Sequence, residues 1–366
     1  MRQVRGWSRL HWMELCSVLM LALSVLFLCA ISSIGYGAER DLRWTVETAY
    51  PRDTAAGEAV DDFARALTQA SAGTVKVRSQ FDTATGLDDI HMPVRGGDAV
   101  IASVLFASDL VPASPVFQLS TLPFDVRSVG DAQQLARLAA TRYRNALASS
   151  GYLLLMVVPW PPTGIWTRAP LATPDALSAA RVRTYDQVSR NVFSSVSGEA
   201  VTLPIRDTVR ELADGKVDAV LSSGDGEAGR IYAKHLRNFT AIRYAYPLSF
   251  MVMRQAAFEA LPLDIQRSVL SAATETEAQL WKDLPSRIRR NSDQMQQMGI
   301  QVTDGGNAVM TSALRAAGDH EIESWRERVS PEDKEIMKTY ETRCHPSADA
   351  ECATAQFSGS AAHESD

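Results

Sequence analysis

The sequence predicts an α/β protein of two lobes with mostly parallel sheets, joined as a clamp. Three observations lead to this expectation. Alternating or fully apolar segments are followed repeatedly by segments of helical periodicity, the pattern of sheets covered by helices. A chain of 366 residues exceeds what one hydrophobic core usually holds. An apolar, strand-like run ends at the Trp-Pro-Pro step of residues 160–162 and a second begins near 246, so the chain leaves one lobe and later returns to it, and such crossovers make a hinge.

In chain order, LRWTVETAY (42–50) alternates and is rich in strand formers, and residues 55–72 have helical spacing through AVDDFARALTQA. TVKVRSQF (74–81) alternates again, DAVIASVLF (98–106) reads as a buried strand, and VGDAQQLARLAATRYRNALASSG (129–151) as a long amphipathic helix. YLLLMVVPW (152–160) is apolar throughout, as in a strand covered on both faces. Beyond the double proline come a strand at ARVRTYD (180–186), helices at about 187–197 and 205–214, the strand KVDAVLSS (216–223) and a helix after Gly226. YPLSFMVM (246–253) returns as a strand, and 264–298 is one helical stretch in which Pro285 predicts a kink or break. Residues 306–343 read as further helix, and the polar remainder as a disordered tail. The expected organisation is a signal segment at 1–37, lobe one at 38–160 plus about 246–262, and lobe two at 161–245. Helices at 263–343 pack across both lobes, and a tail occupies 344–366.

Arg2, Arg5 and Arg9 precede an apolar run from Cys16 to Ile34, and small residues follow at Gly35, Gly37 and Ala38. That order is a secretory signal, with cleavage expected near Gly37 or Ala38 and a periplasmic mature protein; an uncleaved membrane anchor is the alternative. Removing 1–37 takes Lys and Arg from 37 to 34 and Asp and Glu from 43 to 42, a net charge of −8. An acidic chain without a basic stripe is not a nucleic-acid binder. Cys344 and Cys352 are the only cysteines of the mature region, and an oxidising compartment permits a disulfide between them. With His345 they match no zinc pattern, so no metal is expected. No cofactor is expected either. Gly224, Gly226 and Gly229 spell GxGxxG after a strand, but Asp225 and Glu227 put negative charge where a pyrophosphate would sit. There is no GxSxG and no HExxH, and His91, His235 and His320 lack catalytic neighbours.

Arg183 is the sharpest candidate for a functional residue. Its guanidinium is a planar fork of donors that matches a carboxylate at two points, although pairing with Asp186 would make it merely structural. Ser222 and Ser223 end a predicted strand and can hydrogen-bond a ligand or cap the local backbone. Trp160 and Trp166 flank the lobe junction, where aromatic rings form either a ligand wall or hinge packing. Tyr185 shares a strand face with Arg183.

PDALSAARVRTYD, ELADGKVDAVLSSG, LSTLPF and YPLSFMVMRQAAFEALPLDIQRSVLSAA together resemble the DctP-type solute receptors of tripartite ATP-independent periplasmic (TRAP) transporters, over most of residues 41–340. The resemblance implies a two-lobed periplasmic-binding-protein clamp that is not an enzyme. It closes on a small organic acid anion and hands it to integral-membrane TRAP permease subunits. Arg183 falls where family receptors carry their carboxylate-binding arginine. At the following turn this chain has Ser222, Ser223 and Gly224 in place of "DGQENP", similar to a branch with "SMISSG" there, and Ser249 stands where that branch often has asparagine. Pro162 occupies the place of the second arginine of sialic-acid receptors, so sialic acid is not the expected ligand. A receptor serving a membrane sensor would share the same pocket, and an extracytoplasmic enzyme acting on an organic acid is the remaining alternative.

Overall fold

Strand direction in this protein is set by where the chain crosses between its two sheets. The computed structural model describes residues 42–83, 86–87, 90 and 99–344. The chain divides into units Met1–Leu42 and Arg43–Asp366, and among the described residues all but Leu42 belong to the second. The signal segment and the tail lie outside the described residues.

The first sheet has the order β2-β1-β3-β10-β4, with β1 (Leu42–Thr48), β2 (Val75–Gln80), β3 (Ala99–Phe106), β4 (Tyr152–Pro159) and β10 (Leu248–Arg254). β1 and β3 pair in parallel, and β10 runs antiparallel to both β3 and β4. The second sheet has the order β11-β9-β5-β8-β6-β7, with β5 (Gly164–Thr167), β6 (Arg181–Thr184), β7 (Glu199–Thr202), β8 (Ala219–Ser222), β9 (Asn238–Ala241) and β11 (Gln301–Asp304). Its pairs are parallel except those made by β5. The two-lobed α/β expectation is met, and β10 and β5, which run antiparallel to the strands on either side of them, are the strands that enter their sheets from the other lobe. β4 ends at the crossover, so β5 starts at the same edge and runs away from it; β9 and β10 repeat this in the opposite sense. The crossovers hydrogen-bond to each other through Trp160 N–H to Pro247 O and Thr163 N–H to Ala245 O.

Helix α1 (Ala55–Ala70) starts where Thr54 accepts a hydrogen bond from Gly57 N–H, and it buries Val60, Phe63, Ala64 and Leu67 at helical spacing. α2 (Val129–Ala148) is capped by Ser128 and buries Leu135, Ala139 and Tyr143 in the first core. α3 (Gln187–Ser194), α4 (Ile205–Ala213) and α5 (Glu227–Tyr232) follow β6, β7 and β8. The second sheet is packed on both faces, Ile165, Val182 and Leu221 facing one cluster and Trp166, Val220 and Phe239 the other. The long helix α6 (Leu263–Gln297) contains Pro285 without ending there. Its Trp281 and Leu284 lie in the core of the first lobe and its Met295 in that of the second, so it serves both. α7 (Ala308–Arg328) and α8 (Pro331–Cys344) complete the chain. Cys344 is buried in the first core and disulfide-bonded; its expected partner, Cys352, lies outside the described residues. Among the described residues no helix is long and apolar enough to cross a membrane.

One buried carboxyl makes stability depend on pH. Asp125 is 9% exposed and its Oδ2 has no hydrogen-bond partner. Burial, and then the charge of Glu341, push its pKa up to about 7. The folded state therefore binds more protons than the unfolded chain between about pH 4 and pH 7, and stability contributed at this site falls as pH rises through that window. Asp125→Asn, which cannot ionise, is expected to match the parent near pH 4 and to exceed it by up to about 4 kcal/mol at pH 8. Melting temperature against pH checks this; a difference independent of pH would contradict the assignment.

Candidate functional site

In open α/β sheets, ligands bind outside the carboxyl ends of the strands, and here those ends from both sheets converge. A cavity of about 60 Å³ lies among them. From the first sheet it takes Tyr50 and Thr54 after β1, Phe106 at the end of β3 and Trp160 after β4. From the second come Arg183 and Tyr185 at the end of β6, and Ser222, Ser223 and Asp225 at the end of β8. Thr163 and Pro247 are the last crossover residues before the reversed strands β5 and β10, and Tyr232 reaches in from α5. Tyr50, Phe106, Arg183 and Tyr185 also line a larger space of about 710 Å³ between the lobes, bordered by Asp109, Gln118 and Arg206.

Arg183 is 7% exposed. Its Nε donates to Leu203 O at 2.9 Å and its Nη1 to Leu221 O at 3.0 Å, carbonyls that follow β7 and end β8, the strands on either side of β6. Two of the five N–H donors of a guanidinium are thus spent on orienting the group, leaving three. Among the described residues no carboxylate lies within ion-pair distance of it. Asp186 is instead the N-cap of α3, accepting from Ser189 N–H at 2.8 Å, so pairing with Asp186 is not what holds Arg183.

Around this cation the walls are aromatic. Tyr50 and Trp160 have ring centroids 4.9 Å apart, and Phe106 meets Tyr185 edge-on at 5.6 Å. Burial pushes the pKa of Tyr50, Tyr185 and Tyr232 above that of an ordinary phenol, helped by Asp109 at Tyr50 and Asp186 at Tyr185, so all three remain neutral donors. The Tyr185 and Tyr232 hydroxyls are buried without a well-aligned hydrogen bond, with Thr163 beside one and Ser222 beside the other. Asp225 is 3% exposed and bound by Arg287 through Nε and Nη2, both at 2.8 Å. Burial raises its pKa and Arg287 opposes the rise.

Five of the seven residues singled out from sequence line this cavity: Arg183, Tyr185, Trp160, Ser222 and Ser223. Ser222 Oγ also accepts from Gly224 N–H at 3.1 Å, so it caps its own turn as well. Ser249 is fully buried and does not line the cavity; its Oγ accepts from Trp160 Nε1 at 2.9 Å and fixes that ring. Trp166 does not line it either. Its ring packs on Tyr232 and Phe239 beneath the β8 turn. Gly224 there has φ +63°, and a Cβ on it would lie 2.2 Å from Trp166 Cζ2. Tyr50, Phe106 and Tyr232 do not stand out in the sequence, and the available signal is position: the first two terminate legible strands.

The model of the bacterial extracellular solute-binding proteins of family 7 matches residues 46–329. DctP7 of Bordetella pertussis, an extracytoplasmic solute receptor binding pyroglutamic acid, superposes with a TM-score of 0.73 at 21% identity, over 81% of this chain and 99% of that one. A marine metagenome TRAP solute-binding protein specific for pyroglutamate gives 0.74 at 20% identity, over 83% and 99%. A TRAP periplasmic solute-binding protein of Chromohalobacter salexigens with bound D-glucuronate gives 0.70 at 16%, over 82% and 99%. At these identities the likeness to solved structures is one of fold. No curated protein matches the chain in sequence. The family match spans most of both lobes and every residue of the cavity, and the chain belongs to the DctP family, the bacterial extracellular solute-binding proteins of family 7.

Proposed function

We propose that this protein is a periplasmic receptor for a small monocarboxylate with an uncharged, hydrogen-bonding body, and that it delivers this anion to the permease subunits of a TRAP transporter. The observation that carries the reading is Arg183, oriented by two backbone carbonyls with three donors left over, in a cavity whose other charged lining residue, Asp225, is already neutralised by Arg287. A carboxylate satisfies the guanidinium in the two-point geometry that it favours. Among the described residues, a second carboxylate on the same ligand would find no further cation lining the cavity and would face Asp225. The neutral Tyr185 and Tyr232 hydroxyls and the Ser222 and Ser223 groups suit carbonyl, amide or hydroxyl substituents, and Tyr50, Phe106 and Trp160 cover a flat or apolar body. Pyroglutamate and glucuronate, bound by relatives of the same fold, are both monocarboxylates with uncharged bodies.

A ligand held by both lobes favours the closed form, and one that binds only folded protein raises its melting temperature by mass action, about 2.7 kcal/mol of stabilisation at a hundred times Kd. In a thermal-shift series of lactams, hydroxy acids, uronic acids and dicarboxylates, monocarboxylates are expected to stabilise the protein and dicarboxylates to leave it unmoved. A response confined to dicarboxylates would overturn the ligand class, and no response to any carboxylate would overturn the role of Arg183.

A further inference from the structure

We propose that Gln118, Asp109 and Tyr50 form a subsite on the first lobe that reads hydroxyl groups on the body of the ligand, so that the bound anion is a sugar acid. The inference rests on the reading that Arg183 takes the carboxylate. All three residues border the space of about 710 Å³ that Arg183 also lines. All three belong to the first lobe, so their arrangement does not depend on how far apart the lobes stand.

Gln118 lies in the 3-10 turn Pro115–Thr121, which Ser114 caps by accepting from Val116 N–H at 3.4 Å. Its neighbours Phe117 and Leu119 are fully buried in the first core and hold the turn in place. Gln118 itself is 8% exposed and lines the space, and its side-chain amide makes no hydrogen bond among the described residues. Buried side-chain amides are nearly always paired, so this one is placed for a partner that arrives from the space. Asp109, in the short helix Ala107–Leu110 after β3, spends Oδ2 on Phe106 N–H at 3.0 Å and keeps Oδ1 free for a ligand. Tyr50 packs its ring on Trp160, and its hydroxyl likewise has no partner among the described residues.

An ionised carboxylate only accepts hydrogen bonds, whereas a primary amide and a neutral phenol both donate and accept. A ligand hydroxyl also does both, so several hydroxyls on one body can satisfy all three groups at once. A lactam brings one N–H and one carbonyl, and a hydrocarbon ring brings neither. Arg206 borders the same space, where its Nη2 donates to Asp82 O at 2.6 Å, but Asp109 and Asp207 on the same walls offset its charge. The lining therefore favours neutral polar groups over a second carboxylate.

Calorimetric titration with gluconate, glucuronate, galacturonate, pyroglutamate and cyclohexanecarboxylate tests it. The parent is expected to bind at least one of the three sugar acids about tenfold or more tightly than either of the last two. Gln118→Met and Asp109→Asn are each expected to weaken that sugar acid about tenfold and to leave cyclohexanecarboxylate unaffected. The ligand-free melting temperature of Gln118→Met should not fall, because the amide has no protein partner to lose. A parent that prefers pyroglutamate or cyclohexanecarboxylate to every sugar acid would overturn the subsite, as would undiminished sugar-acid affinity in either variant. Equal loss for all carboxylates would also overturn it, by showing that the substitutions act through the fold. A parent that binds none of the five would overturn the role of Arg183 as well, so the two failures are distinguishable.

Discussion

Arg183→Ala is expected to remove carboxylate binding while leaving a folded protein. Truncating one partner of a buried, hydrogen-bonded charge pair costs about 2–5 kcal/mol, which raises the dissociation constant by about 30-fold to several thousandfold. The effect on folding is smaller and separable. Arg183 contributes two hydrogen bonds to the fold, to Leu203 O and Leu221 O, each worth about 1 kcal/mol net, and it is not part of an ion pair among the described residues. Arg183→Lys sharpens the test. A lysine keeps the charge but lacks the planar fork, so it cannot anchor on two carbonyls and present two parallel donors at once. It is expected to bind nearly as poorly as the alanine variant. Calorimetric titration with a carboxylate that stabilises the parent, beside circular dichroism of each variant, reads both effects. Undiminished affinity in Arg183→Ala would remove this residue from the site, and recovery of full affinity by lysine would mean that charge alone is recognised.

Strand length decides how much of the fold is legible in the sequence. β4 and β10, eight and seven residues long, stand out as apolar runs, and β3 and the helices α1, α2 and α6 have enough turns or alternations to declare their period. β5, β7, β9 and β11 are four residues each, as GIWT, EAVT, NFTA and QVTD, too short to show any period, whereas β6 and β8, equally short, are legible only through the longer stretches ARVRTYD and KVDAVLSS that contain them. From sequence the second lobe therefore reads as helices with two strands instead of a six-stranded sheet. Arg183 is legible because PDALSAARVRTYD places it where the resembled receptors carry their carboxylate-binding arginine, although Arg181 shares its strand. Tyr50 and Phe106 are not, because the first sheet presents them from strand ends separated by 56 positions, and only the fold brings them to Trp160. The Asp225 to Arg287 pair, 62 positions apart, is hidden for the same reason. Pro285 reads as a kink or break, and the helix does not end there, because one lost backbone donor in a helix packed against two cores does not outweigh that packing.

Trp160 and Trp166 look equivalent in WPPTGIW, and the reversed direction of β5 separates them. Trp160 sits on the crossover, with one face to the cavity and its Nε1 held by Ser249. Trp166 lies three residues past Thr163 on a strand that runs away from the cavity, so the chain carries it into the second core, where it is fully buried against Tyr232, Phe239 and Gly224. Trp166→Ala is therefore expected to cost about 3–5 kcal/mol of stability, the usual range for a buried tryptophan, and to lower the melting temperature by about ten degrees. Ligand that still stabilises the variant should do so by nearly the increment seen in the parent. Trp160→Ala is expected to behave in the opposite way. It enlarges a cavity that already exists, so it disturbs packing less, but it removes a wall from the ligand and should weaken binding about tenfold or more. Melting curves of the two variants with and without a stabilising carboxylate decide the matter. If Trp166→Ala left the melting temperature unchanged and abolished the ligand shift, it would be Trp166, and not Trp160, that faces the anion, and the direction assigned to β5 would be wrong.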